Sequence, residues 1–169
     1  MKIILSVVLL AVSALAQSQS APVESACGPG NVSFTVKQDE SQHTVAQTHP
    51  GKALIYFVQV ISAGTGLGTP VTRIGLDGTW VGAFKHNSYF SVSVDPGEHH
   101  ACMSVQSNNS LGKSVAFAHL TAEPGKVYYL GTQMFGTASW THLEIGPIDS
   151  DQARYLIAST PLSLSHSKP

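Results

Sequence analysis

From Pro50 onward the chain repeats one pattern: short runs of β-branched and aromatic residues, broken by turn residues roughly every 8 to 12 positions. Ala53 to Val58 is apolar throughout, which predicts a central strand covered on both faces. Phe90, Val92 and Val94 alternate with Ser91 and Ser93 and predict a strand with one wet face. The same reading places strands over Val32 to Lys37, Val71 to Leu76, Trp80 to Phe84, His99 to Val105, Ser114 to Thr121, Lys126 to Met134 and Trp140 to Ile145. Asp77-Gly78 suits the positive φ values of a two-residue hairpin turn, while Asp95-Pro96-Gly97 and Glu123-Pro124-Gly125 mark sharper reversals. One helix is expected near the C-terminus. Asp149 or Ser150 caps it, Ala153, Leu156 and Ile157 share one side, and Pro161 ends it. Together these elements predict an all-β fold, an antiparallel β-sandwich of the immunoglobulin-like or prealbumin-like kind with one short C-terminal helix.

The start of the chain reads differently. Met1 and Lys2 precede an apolar run from Ile3 to Leu15, interrupted only by Ser6 and Ser13, and Ala14-Leu15-Ala16 supplies small residues at the end. This is the layout of a secretory signal peptide over residues 1–16, cleaved before Gln17. The run is shorter than the roughly 20 residues of a membrane-spanning helix, so no membrane insertion is expected after cleavage. A lipoprotein signal fits poorly, because Cys27 lies well past the run and follows Glu24, Ser25 and Ala26. The expected organisation is a leader over 17–30 that carries Cys27, a single β-sandwich domain over 31–160, and a polar tail over 161–169. Gly64 to Gly68 is expected to form a flexible loop. Localisation is then outside the cytoplasm, in the periplasm or extracellular.

A two-residue loop fixes which residues oppose one another across a hairpin. Leu76 should face Thr79, Gly75 should face Trp80, and Ile74 should face Val81. Ile74, Leu76 and Val81 then share the core side, and Arg73, Gly75, Trp80 and Phe84 share the other. Trp80 would lie over Gly75 with the Arg73 guanidinium diagonal to it, a stacking worth about 0.5 to 1 kcal/mol at an exposed site. Arg73, Trp80 and Phe84 therefore form a candidate ligand platform, with Trp80 partly exposed. Parity along His99 to Val105 turns Ala101, Met103 and Val105 inward and Cys102 outward, where the segment around Cys27 could cross it. In an exported chain a disulfide between Cys27 and Cys102 is the favoured reading, and it would staple the N-terminal segment. Two separately buried thiols are the alternative.

The 169 residues are 43% hydrophobic and 11% charged, with a formal charge of −1. That balance gives no electrostatic footprint for nucleic acid and no compositional case for disorder. Eight histidines invite a metal reading. His99 and His100 are adjacent, so on a strand they point to opposite faces, and no H-E-x-x-H or paired C-x-x-C is present. No metal and no cofactor are expected. A three-histidine site drawn from His86, His100, His119 and His142 is the alternative, with His119, set between Ala118 and Leu120, read instead as half-buried and hydrogen-bonded. Asp77, Asp95, Glu98 and Glu123 fall at or beside turns, and no G-x-S-x-G elbow occurs, so a small hydrolase ranks below both readings. The glycines of Gly64 to Gly68 lack the lysine of a phosphate loop. Tyr56, Trp80, Tyr89, Tyr128, Tyr129 and Trp140 sit in strands, where core packing accounts for most of them; any that face outward could bind sugars or a protein.

The stretches "GKALIYFVQ", "TRIGLDGTWVGAFKHNSYFSVSVDPGEHHAC" and "AHLTAEPGKVYYLGTQM" resemble the bacterial domain-of-unknown-function family 2846. The shared elements are an apolar strand, a D-G hairpin followed by V-G, an S-Y-F strand, P-G-x-H and A-x-x-G-K-x-Y-Y, over about Gly51 to Met134. The resemblance implies an exported β-sandwich and transfers no catalytic residue. The expected function is a non-enzymatic binding or structural module of the bacterial envelope or periplasm, with an envelope protein or polysaccharide as partner. A histidine-based metal-binding protein is the second reading.

Overall fold

The apolar run that begins at Ala53 becomes an eleven-residue strand whose residues from Ala53 to Gln59 are buried on both faces, and the fold is built around it. The computed structural model describes residues 27–43, 46–63, 70–106, 114–136 and 141–168. The expected signal peptide, the leader up to residue 26, the Gly64 to Gly68 loop and Trp140 lie outside the described residues. In chain order the elements are β1 (Ser33–Asp39), β2 (Ala53–Ala63), β3 (Val71–Leu76), β4 (Thr79–Phe84), β5 (Tyr89–Val94), β6 (Gly97–Gln106), β7 (Val115–Ala122), β8 (Val127–Gly136), β9 (Thr141–Pro147), α1 (Ser150–Ser159) and β10 (Leu162–Lys168).

The strands form two sheets, one in the order β1-β10-β5-β2-β8-β9 and the other β4-β3-β6-β7. Their facing sides bury Ala53, Ile55 and Phe57 of β2 against Ile74, Met103 and Val105 of β3 and β6. The fold is the expected all-β sandwich, with one short helix among the elements of the described residues. Pairing is antiparallel except where β2 meets β8 and where β10 meets β5. The parallel partner explains why β2 lacks a polar face: a central strand flanked this way is covered on both sides. Its outward residues Leu54, Tyr56 and Val58 pack with Tyr89 and with Ile157 of α1.

α1 starts where its cap was expected. The Asp149 carboxylate accepts from the backbone N–H of Asp151 at 2.8 Å and of Gln152 at 3.2 Å, satisfying two amides that have no partner within the helix. Ala153 and Ile157 are buried against the six-stranded sheet, and Leu156 is half-buried beside them. The Tyr56 and Tyr89 hydroxyls beneath this layer donate to the carbonyls of Ala46 and Gln42, so the connection from β1 to β2 is tied over the same face.

Two expectations are corrected. Residues 162–168, read as a polar tail, form β10, which runs antiparallel to β1 from Leu162↔Asp39 to Lys168↔Ser33. Its Leu-Ser alternation is inverted relative to an ordinary amphipathic strand. Ser163 and Ser165 point toward the open edge of β4, where Ser163 donates to the Ala83 carbonyl at 2.7 Å and Ser165 accepts from the Ala83 N–H at 3.1 Å. These hydroxyls occupy backbone groups that an edge strand would otherwise leave free. The second correction is the register of the β3–β4 hairpin. Gly75 faces Trp80 and Leu76 faces Thr79 as expected, but Ile74 faces Gly82, which leaves Val81 as a bulge. One extra residue reverses the parity beyond it, so Phe84 turns into the core against Phe90, their ring centroids 5.0 Å apart.

Candidate functional site

The outer face of the four-stranded sheet holds every residue proposed for a platform except Phe84, and it divides into two halves. On the β3–β4 half, Cys27 to Pro29 cross the sheet. Cys27 is bonded to Cys102 of β6, with 5.3 Å between the Cα atoms, and both side chains are buried. Gly75, directly opposite Cys102 in the ladder, lies under the Cys27 carbonyl; a Cβ there would stand 2.8 Å from that carbonyl carbon. Gly28 has φ of +140°, a conformation glycine tolerates, and lies on the Trp80 indole so closely that a Cβ would come within 2.6 Å of the ring. The Trp80 Nε1–H donates to the Pro29 carbonyl at 2.8 Å.

Arg73 completes the clasp. Its guanidinium carbon stands 4.3 Å from the centre of the Trp80 ring, and its Nη1 donates to the Val32 carbonyl at 2.8 Å. Burial pulls the guanidinium below its ordinary pKa. The expected Arg73–Trp80 stack is therefore present, and Trp80 is partly exposed. The surface it offers is taken by the protein's own N-terminal segment. At the end of β6 the Gln106 amide accepts from the Phe34 N–H at 2.6 Å and donates to the Phe34 carbonyl at 3.2 Å, so the segment is fastened again as it enters β1.

Among the described residues nothing crosses the β6–β7 half. His100 faces His119 across the ladder and Cys102 faces Phe117. Asp77, His100, Phe117 and His119 line a shallow concavity of about 480 Å³. Phe117 is 59% exposed, an uncommon position for a ring of that size, and it stands beside the disulfide. His119 is exposed, where a half-buried, hydrogen-bonded residue was expected; Ala116, Ala118 and Leu120 take the inward positions of β7. Of the four histidines considered for a metal, the described residues bring together only His100 and His119, and no group of three His, Cys, Asp or Glu converges on one point among them.

His99 has a separate role at the rim. Its Nδ1 lies 2.6 Å from Asp77 Oδ2 and its Nε2 lies 2.8 Å from the Asp95 carbonyl. Both partners accept, so the ring satisfies both only as an imidazolium. Burial works against charge on His99, but the bonds to Asp77 and Asp95 outweigh it and hold the pKa above the ordinary 6.5. Burial likewise opposes the Asp77 carboxylate, which the His100 N–H and the His99 ring nevertheless hold below 3.8. A raised histidine stabilises fully below its unfolded value and loses that contribution as pH rises through its folded value. A lowered carboxylate stabilises above its unfolded value and loses it as pH falls through its folded value. The tether is therefore strongest between about pH 4 and 6.5. His99→Ala is expected to cost about 1 kcal/mol at pH 5.5, a figure kept small because Asp77 is partly exposed, and less at pH 9. Urea unfolding at the two pH values measures the difference, and an equal loss at both would refute the tether.

The outward aromatic in this half was not among those singled out from the sequence. Tyr56 and Tyr89 are buried, and Tyr128 and Tyr129 are half-buried. The sequence does not mark Phe117 as outward, because β7 carries apolar residues in both phases of its alternation, Val115 and Phe117 in one and Ala116, Ala118 and Leu120 in the other. A scan against protein-family models matched none, and searches of curated proteins and of solved structures returned no match. The resemblance to the domain-of-unknown-function family 2846 rests on its motifs alone.

Proposed function

We propose that this protein is an exported, non-enzymatic β-sandwich that serves as a binding or structural module of the bacterial envelope, with an envelope polysaccharide or protein as its partner. The observation that carries this reading is the half-open outer face of the four-stranded sheet. One half is closed by the protein's own stapled segment, and the other presents Phe117 beside two exposed imidazoles on a rigid ladder. A large ring kept in water next to polar donors suits stacking on a sugar face or capping an apolar side chain. The disulfide favours an oxidising compartment. Among the described residues no helix is long and apolar enough to cross a membrane.

Titration of isotopically labelled protein with peptidoglycan fragments, envelope polysaccharides and envelope extracts tests the proposal. Shifts are expected to concentrate on Val115–Ala122 and on His100. Phe117→Ala is expected to weaken binding at least about tenfold while changing stability by less than about 0.5 kcal/mol, because the ring is mostly in solvent. Binding that is indifferent to Phe117→Ala would remove this face from the function.

A further inference from the structure

We propose that His100 and His119 form a site for a borderline divalent transition-metal ion, zinc or copper, with Glu98 as an oxygen donor beside them. The site does not depend on the envelope-module reading and can fail or hold without it. The two histidines are directly opposed in an antiparallel ladder. Side chains so placed have Cβ atoms about 4.5 to 5.5 Å apart. Two imidazoles at that spacing can turn one nitrogen each onto an ion about 2.0 to 2.1 Å away with no movement of the backbone.

His99 and His100 show why one residue is available and its neighbour is not. Both ring nitrogens of His99 are engaged by Asp77 and Asp95. The His100 ring points to the other face, with 68% of its side chain exposed; among the described residues the carboxylate oxygen within 4 Å of the ring is Glu98 Oε1, at 3.8 Å and beyond hydrogen-bonding range, and Asp77 of the same concavity attracts it from farther away. Among the described residues neither the His100 nor the His119 ring makes a hydrogen bond, so an ion displaces only water. The His100 backbone is nevertheless held firmly. Its N–H donates to Asp77 Oδ1 at 2.8 Å, its carbonyl accepts from the Asp77 N–H at 2.9 Å, and two residues along the strand Cys102 is locked by the disulfide. Glu98 is the preceding residue of β6 on the same face; as it stands its carboxylate does not converge with the two imidazoles, and a change of side-chain rotamer would have to bring it to the ion. Two nitrogens and one oxygen suit zinc and copper, whereas calcium and magnesium prefer sets made of oxygens. Water fills the remaining positions, which makes the ion exchangeable.

The test uses the full chain purified without a histidine tag and titrated calorimetrically with zinc chloride, then copper chloride. One equivalent is expected to bind saturably, and His100→Gln and His119→Gln are each expected to weaken it at least about tenfold, since even outer-shell partners of a metal are worth that much. Glu98→Gln should weaken it less. Both histidines are exposed, so the variants should unfold at the parent's temperature without metal, and metal should raise the midpoint of the parent alone. Absence of saturable binding, or affinity unchanged in either histidine variant, overturns the proposal.

Discussion

Removing the bond between Cys27 and Cys102, as the paired substitutions Cys27→Ala and Cys102→Ala, is expected to lower the unfolding free energy by about 4 to 5 kcal/mol. The cysteines are 75 residues apart, so the cross-link removes much of the freedom of the unfolded chain. It also holds the Cys27–Pro29 segment over Gly75 and Trp80. For a chain of this size the loss corresponds to a fall of roughly 10 to 15 °C in the thermal midpoint. Release of the segment exposes more of the Trp80 ring, so indole emission in a Trp140→Phe background should move to longer wavelength as the bond is cleaved. Circular dichroism melts with and without reductant measure the first effect. A midpoint that does not move would mean that the segment is held by its hydrogen bonds alone.

The features that could be read from the sequence are those whose signal is local and survives any choice of partner strand. A six-residue apolar run at Ala53 to Val58 must be covered on both sides whatever covers it, and α1 with Asp149 at its cap is defined within a dozen residues. The outward direction of Cys102 follows from parity along β6 alone. What stayed hidden depends on register between elements. The bulge at Val81 changes no local propensity, yet it sends Phe84 to the opposite face, and Gly82 beside it was the only hint. The serines of β10 look like solvent-facing residues because their partner, the β4 backbone at Ala83, is 80 residues away. His100 and His119 become neighbours only once β6 and β7 are aligned, and their alignment rests on long-range pairing that periodicity does not encode.

Gly75→Ala separates the staple from the sheet that carries it. In most strands this substitution is neutral or gains about 0.5 to 1 kcal/mol, because alanine has less freedom to lose on folding. Here the added methyl would overlap the Cys27 carbonyl, and its nearest neighbours are backbone atoms that cannot swing aside. With the disulfide intact the segment cannot lift without dragging Cys102, which lies across the ladder from Gly75. The expected cost is therefore about 3 kcal/mol, at the upper end of what overpacking produces. In the Cys27→Ala/Cys102→Ala background the same substitution meets a segment free to move away. Its cost should fall to about zero or change sign, giving a coupling of about 3 kcal/mol or slightly more between Gly75 and the bond. Unfolding free energies of the four proteins in urea close the cycle. Equal effects of Gly75→Ala in both backgrounds would show that Cys27 does not rest on Gly75, and would detach the clasp of Arg73 and Trp80 from the disulfide that anchors it.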